Sequence, residues 1–184
     1  MAARDQGKHM ERVRTALQRV EAALQRRPDW GRHEDAPATA VWEGDTAFRV
    51  AHDNGFASST DMPTELGGEG KHVTPGWLFR ASVASCAGTS IYLAAVAAGV
   101  ALQRLQVRVE SQSDVRGLLG MAEADGTPVL PGTAELQLHV SICAAGVADA
   151  DLRALIDTAM SRSPIPAVVR APTGIALNVV VEQT

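Results

Sequence analysis

The longest apolar run in the sequence, from Thr74 to Val100, constrains the fold most, and Cys86 lies near its middle. Thr74 can cap a helix whose first residue is Pro75, because a proline there lacks the N–H that would otherwise be unpaired. Gly99 is a natural stop for the same helix. Much of the run is alanine, serine and glycine, so other elements can approach its backbone closely. We therefore predict a helix that is buried on most of its surface.

A membrane span is the alternative for this run, since about 20 apolar residues cross a bilayer. Arg80, several serines and threonines and the dominance of alanine weaken that signal, and no flanking basic cluster orients the segment. We predict a core helix and no membrane partner.

Composition and charge bound the class of protein. The chain has 184 residues, which suits one domain plus an appendage. Its net charge of -4 and the lack of a basic run argue against a nucleic-acid partner. The first residues contain no apolar segment typical of a secretion signal, and two cysteines do not make a disulfide framework. We predict a cytoplasmic protein whose partner is a small molecule or another protein.

The N-terminal region is predicted to be an appendage. Val13, Leu17, Val20 and Leu24 are spaced three and four apart, which indicates an amphipathic helix from His9 to Arg27. A linker follows from Pro28 to Pro37. Residues 1–37 therefore form a helix and linker, and residues 38–184 form the main domain. The helix docks either on its own domain or on a second subunit.

Short strands flank the central helix. The predicted strands before it are the hairpin Thr39–Trp42 and Thr46–His52 and a third strand beginning at Phe56. Those after it are Leu105–Ser111, Val115–Met121, Thr133–Cys143 and Gly174–Glu182. Another helix, capped by Asp149 or Asp151, ends before Pro164, where Ser163–Pro166 breaks the backbone twice. This order predicts an α+β fold with antiparallel sheets around a long central helix.

Cys86 is the first candidate for chemistry. Ser82, Thr89 and Ser90 share its helical face and can bond a thiolate or a ligand, or instead bond backbone carbonyls one turn back. A cysteine in an apolar helix is otherwise an inert small hydrophobe. Cys143 lies on the same strand face as His139, a second and weaker nucleophile pair. The scattered histidines and the lack of metal-binding motifs predict no metal site.

Several motifs in order resemble the OsmC-like family, which includes the organic hydroperoxide resistance proteins. They are P-x-E-L-G-G-x-G from Pro63 to Gly70, Thr74-Pro75, Leu78-Phe79, Ala84-Ser85-Cys86, Val115 to Gly120, and Ser163-Pro164. The resemblance spans about Thr39 to Val181, which makes 38–184 an OsmC-like domain. It implies an intertwined homodimer of α+β subunits, with two active sites at the interface and no cofactor.

The resemblance also implies a reaction. In active members a peroxidatic cysteine reduces an organic hydroperoxide and becomes a sulfenic acid, which condenses with a second cysteine to a disulfide that a dithiol reduces. Cys86 matches the peroxidatic position. Three other positions depart: Gly76 replaces the family's glutamate, Ser163 replaces the resolving cysteine, and the expected arginine has only Arg49 or Arg80 as a loose substitute.

Three functions follow from these departures. The first is a one-cysteine peroxidase in which Cys86 is catalytic, with Arg49 or Arg80 assisting, and an external thiol is the reductant. The second is a non-catalytic dimer that binds a small apolar or acyl ligand in space opened by Gly76. The predicted binding residues are Trp77, Phe79, Ser82, Thr89, Ser90 and Ser163. The third is a dimeric stress-response protein without chemistry of its own.

Overall fold

The computed structural model describes the backbone of residues 3–171 and 173–182, and the side chains of residues 7–171 and 173–182. The helices are α1 (Ala3–Arg26), α2 (Pro75–Ala97), α3 (Val115–Leu118), α4 (Asp149–Arg162) and α5 (Pro164–Arg170). The strands are β1 (Thr39–Gly44), β2 (Ala47–Ala51), β3 (Ala57–Thr60), β4 (Leu102–Ser113) and β5 (Thr133–Ala144). The predicted α+β fold is confirmed.

The central helix α2 begins as the sequence predicts. The Thr74 side chain accepts a hydrogen bond from the Trp77 N–H, and Pro75 occupies the first turn. The core is formed around five residues on this helix: Val83, Ala87, Ile91, Ala95 and Val96. By length and composition α2 could cross a membrane. Its packing against β4, α4, α5 and α1 makes it the core helix of this domain.

Two antiparallel sheets carry the strands. The first has the order β1-β2-β3, and the second pairs β4 with β5 over nearly their whole length. The apolar side of β4 lies on α2. Gly88 faces β4: a Cβ atom there would make an ordinary contact with Val107 Cγ2, at 3.7 Å.

The N-terminal helix α1 docks on its own chain. It packs against α2, with Met10 buried and the Arg14 guanidinium near Gly99. A short 3-10 turn follows at Pro28–Gly31, where the Arg27 guanidinium lies 4.3 Å from the centre of the Trp30 ring. Of the two predicted docking sites, the structure contains the one within the subunit.

The loop between β3 and α2 is organised by a buried carboxylate, Asp61. It accepts hydrogen bonds from the Thr46 hydroxyl at 2.6 Å and from the backbone N–H groups of Met62, Glu69 and Lys71. The Thr46 hydroxyl is the main cause that holds the pKa of Asp61 below its usual value, and the backbone donors add to it. The Asp61 N–H donates to the Val73 carbonyl at 3.1 Å, which holds the loop next to the Thr74 cap of α2.

Four local predictions are wrong. The predicted strand Val115–Met121 is the helical turn α3, because the Asp114 side chain caps it through the Arg116 N–H at 2.9 Å. Neither predicted aspartate caps α4, whose N-cap is Ala148. The predicted break after Ser163 begins a new helix, α5. Residues 174–182 form no strand in this subunit, where no neighbouring strand is paired with them.

Candidate functional site

Cys86 lies in the middle of α2, where the helix faces the start of α5. Its Sγ atom is 3.4 Å from Ser163 Oγ, and the Ile165 backbone N–H donates to the same sulfur at 3.4 Å. Ser163 is fully buried and Cys86 is partly accessible. The sulfur therefore meets two polar groups from a segment that is distant in sequence.

The junction between α4 and α5 explains this arrangement. Pro164 occupies the first turn of α5, a position that suits proline because the first helical N–H groups have no partner within the helix. The Ile165 N–H is one of these unpaired donors, and it is directed at Cys86 Sγ. Ser163 is left between two helices, with its side chain against the cysteine. Sequence reasoning missed Ile165, because a backbone donor has no side-chain signature.

The two contacts suit a reactive sulfur. Only the thiolate form of a cysteine is a good nucleophile, and an N–H and a hydroxyl can both donate hydrogen bonds to it. Ser163 cannot form a disulfide, and both cysteines of the chain are free thiols. Cys86 thus has donors beside it but no sulfur from Ser163 to condense with.

The arginines that the sequence offers are elsewhere in this subunit. Arg80 donates to Ser111 Oγ at 3.2 Å, on β4. Arg49 lies on β2, opposite Val41 in β1 and Ser59 in β3. Within the described residues, neither guanidinium hydrogen-bonds to Cys86 Sγ.

The aromatic residues predicted to bind a ligand lie at the start of α2. Trp77 and Phe79 are partly exposed there, nine and seven residues before Cys86 and so about 10–14 Å along the helix axis. Gly76 beside them leaves open space. A Cβ atom at Gly76 would have only Arg80 Nη1, at 3.7 Å, and Thr74 Oγ1, at 3.9 Å, as close neighbours.

The hydroxyl groups on the Cys86 face of α2 were predicted either to bond the sulfur or a ligand, or to bond backbone carbonyls one turn back. Ser82 donates to the Phe79 carbonyl at 2.7 Å, so it bonds the backbone one turn back. Thr89 is exposed, and Ser90 lines a groove between α2 and α4. Ser163 is the hydroxyl that reaches the sulfur.

The second cysteine has separate surroundings. Cys143 Sγ donates to Gln103 Oε1 at 3.3 Å, across the β4–β5 pair. His139 Nε2 lies 3.3 Å from Glu110 Oε2 and is engaged there rather than with the thiol. These contacts do not form a nucleophile pair.

The fold and the site together define a class of α+β protein. In this class a central helix carries the cysteine, antiparallel sheets flank the helix, and another helix begins beside the thiol. The model of a family described as OsmC-like protein matches residues 68–178. The chain belongs to the OsmC-like family. No curated protein matches the chain by sequence.

Solved structures share the fold. An OsmC-like protein from Mycoplasma pneumoniae is 20% identical, with a TM-score of 0.62 over 77% of this chain and 91% of that one. An organic hydroperoxide resistance protein from Elizabethkingia anophelis is 22% identical, with a TM-score of 0.58 over 77% and 91%. One from Legionella pneumophila is 22% identical, with a TM-score of 0.55 over 76% and 92%. The helix α1 and its linker precede the family match.

Proposed function

We propose that this protein reduces organic hydroperoxides through Cys86, as a one-cysteine thiol peroxidase. The observation that carries the proposal is the partly accessible Cys86 sulfur, with Ser163 Oγ and the Ile165 N–H each at 3.4 Å. Two of the similar solved structures, from Legionella pneumophila and Elizabethkingia anophelis, are named organic hydroperoxide resistance proteins, which supports the choice of substrate.

The proposed reaction balances with an external thiol as the reductant. The Cys86 thiolate attacks one peroxide oxygen, the O–O bond breaks, and the alkoxide leaves and takes a proton to become an alcohol. The sulfur is then a sulfenic acid. A first external thiol condenses with it, releases water and forms a mixed disulfide; a second thiol restores Cys86 and leaves as the oxidised disulfide. Ser163 stays a hydrogen-bonding group throughout.

We further propose that the working unit is a homodimer. In a single subunit, strand β1 exposes Trp42, which is 65% accessible, and the C-terminal segment exposes Ile175 and Leu177 at 96% and 84%. Large apolar side chains with this much exposure suit a surface that another chain covers. Sedimentation equilibrium tests this: a chain that stays monomeric at micromolar concentration contradicts it.

The peroxidase proposal is tested by the consumption of cumene hydroperoxide with dithiothreitol as the reductant. Cys86→Ser is expected to remove the catalysed rate, and Cys143→Ser, the matched change at the other cysteine, to retain it. Equal rates for Cys86→Ser and the unmodified protein would refute the proposal. Two free thiols and an acidic chain fit a cytoplasmic setting, where small thiols are available.

A non-catalytic role is the second candidate, and the open space at Gly76 favours it. In this function the dimer binds a small apolar or acyl ligand beside Trp77 and Phe79 without changing it. Native mass spectrometry of the purified protein tests this function, and a mass equal to that of the bare dimer counts against it.

A further inference from the structure

An apolar groove follows the C-terminal half of α2, at the other end of the helix from Trp77. One part, about 370 Å³, lies between α2 and α4 and is lined by residues that include Ser90, Leu93 and Ala97. The next part, about 590 Å³, lies beside α1, where Leu17, Val20 and Leu24 form the wall. The two parts share Ala97 and Arg162, so they adjoin at these residues.

The groove begins beside the candidate site. Pro164 lines its first part, and its two neighbours in sequence, Ser163 and Ile165, are the residues that contact Cys86 Sγ. From Ser90 to Ala97 the floor runs about 10 Å along α2, at 1.5 Å per residue. Each part has a volume within the range of about 300–1,000 Å³ of small-molecule sites, and both parts are open to solvent on one side, the α1 part more widely.

One cation marks the middle of the groove. Arg162 lines both parts, is exposed, and makes no ion pair or hydrogen bond within the described residues. It donates no hydrogen bond to the last carbonyls of α4 in the described structure, where Arg170 Nη2 bonds the Met160 carbonyl at 2.8 Å. Glu21 lines the α1 part and forms no salt bridge with Arg162 in the described structure. The guanidinium is therefore free to bind an anion.

We propose that this groove binds a medium-chain carboxylic acid, with the carboxylate on Arg162 and the alkyl chain along the floor of α2. A guanidinium binds a carboxylate through two parallel hydrogen bonds, which gives the groove a preferred end group. Leu93 and the alanines of α2 contact the alkyl chain, and each added methylene tightens binding about fourfold while the groove can still bury it. Because α1 lines the adjoining part, the Arg162 end of the site lies beside a helix outside the matched family region. The binding does not require that Cys86 be catalytic.

Isothermal titration with decanoate, below its micelle concentration, tests the proposal on the full chain carrying Cys86→Ser. We expect decanoate to bind more tightly than octanoate and at least tenfold more tightly than decanol, which lacks the charge. Arg162→Ala is expected to weaken decanoate binding about tenfold or more and to leave decanol unchanged. Arg153→Ala is the matched control, an exposed arginine of the same helix that lines a different cavity, and it should have no effect.

A second variant tests the groove rather than the charge. Ala97 is exposed on the floor, so Ala97→Phe fills the groove without disturbing the core, and we expect it to abolish binding of both decanoate and decanol. The proposal is overturned if decanoate does not bind or binds no better than decanol. It is equally overturned if Arg162→Ala retains full affinity, or if Ala97→Phe leaves the groove's ligands bound as before. Circular dichroism of each variant confirms that the fold is kept.

Discussion

Replacing Ser163 with cysteine places a second sulfur against Cys86. The two side chains are 77 positions apart in sequence, and their Sγ and Oγ atoms are 3.4 Å apart. A disulfide that closes a loop of this length removes chain entropy from the unfolded state worth about 4.5 kcal/mol, before any strain in the folded state. For a chain of this size, 1 kcal/mol raises the melting temperature by about 2–4 °C. We therefore expect oxidised Ser163→Cys to melt about 10 °C or more above its reduced form.

The assay uses Ser163→Cys with Cys143→Ser, so that only two sulfurs remain. After one equivalent of cumene hydroperoxide, free-thiol titration should find no thiols, and the intact mass should be 2 Da below that of the reduced protein, because a disulfide loses two hydrogens. Ser161→Cys is the matched control, since Ser161 Oγ donates to the Thr158 carbonyl at 2.8 Å and does not face Cys86. The reasoning is refuted if Ser163→Cys keeps two free thiols, or if Ser161→Cys forms the bond equally well.

Three further predictions concern stability. Gly76→Glu should stabilise the fold by about 1 kcal/mol, because a helix-forming residue replaces glycine and places a negative charge at a helix N-terminus. Thermal melting measures this change in stability, and a lower melting temperature for the variant would contradict the prediction. Gly68→Ala should destabilise by about 3 kcal/mol, since its Cβ would lie 1.9 Å from Met62 O, whereas Gly132→Ala, with no atom within 4 Å, should change little in the same urea titration. Because the pKa of Asp61 is lowered in the folded state, its carboxylate stabilises the fold fully above the unfolded-state pKa, and this stabilisation is lost as pH falls below about 4. Asp61→Asn should therefore reduce the loss of folding stability at acid pH. An unchanged dependence of stability on pH would count against the Asp61 network.

Local signals in the sequence were sufficient for the central helix. Thr74, Pro75 and Gly99 mark its ends, and these residues act through backbone geometry and hydrogen bonds within one turn. The hairpin of β1 and β2 was equally predictable from the sequence, because its turn residues are adjacent in the chain.

Predictions failed where the outcome depends on contacts beyond the local chain. Pro164 and Pro166 read as helix breakers, yet both lie in the first turn of α5, where proline costs no hydrogen bond. The apolar alternation of residues 174–182 is that of a strand, but a strand needs a neighbour to pair with, and this subunit offers none within the described structure.

The candidate site also has one part that local sequence signals predict and another that depends on contacts between distant segments. The long apolar run and its end signals placed Cys86 on a buried helix, but no local pattern joins it to Ser163; only the family resemblance pointed to that position. The role of Arg80 could not be predicted because its partner, Ser111, is on another element. The contact from Ile165 depends on where α5 begins, which the sequence signals did not fix.

The central claim is that Cys86 is the sulfur that hydroperoxide oxidises. Its most direct measurement is mass spectrometry of the protein treated with one equivalent of cumene hydroperoxide in the presence of dimedone, which traps sulfenic acids. We expect one dimedone adduct, on the peptide that contains Cys86. The adduct should be absent when dithiothreitol reduces the oxidised protein before dimedone is added. An unlabelled Cys86, or labelling confined to Cys143, would contradict the account.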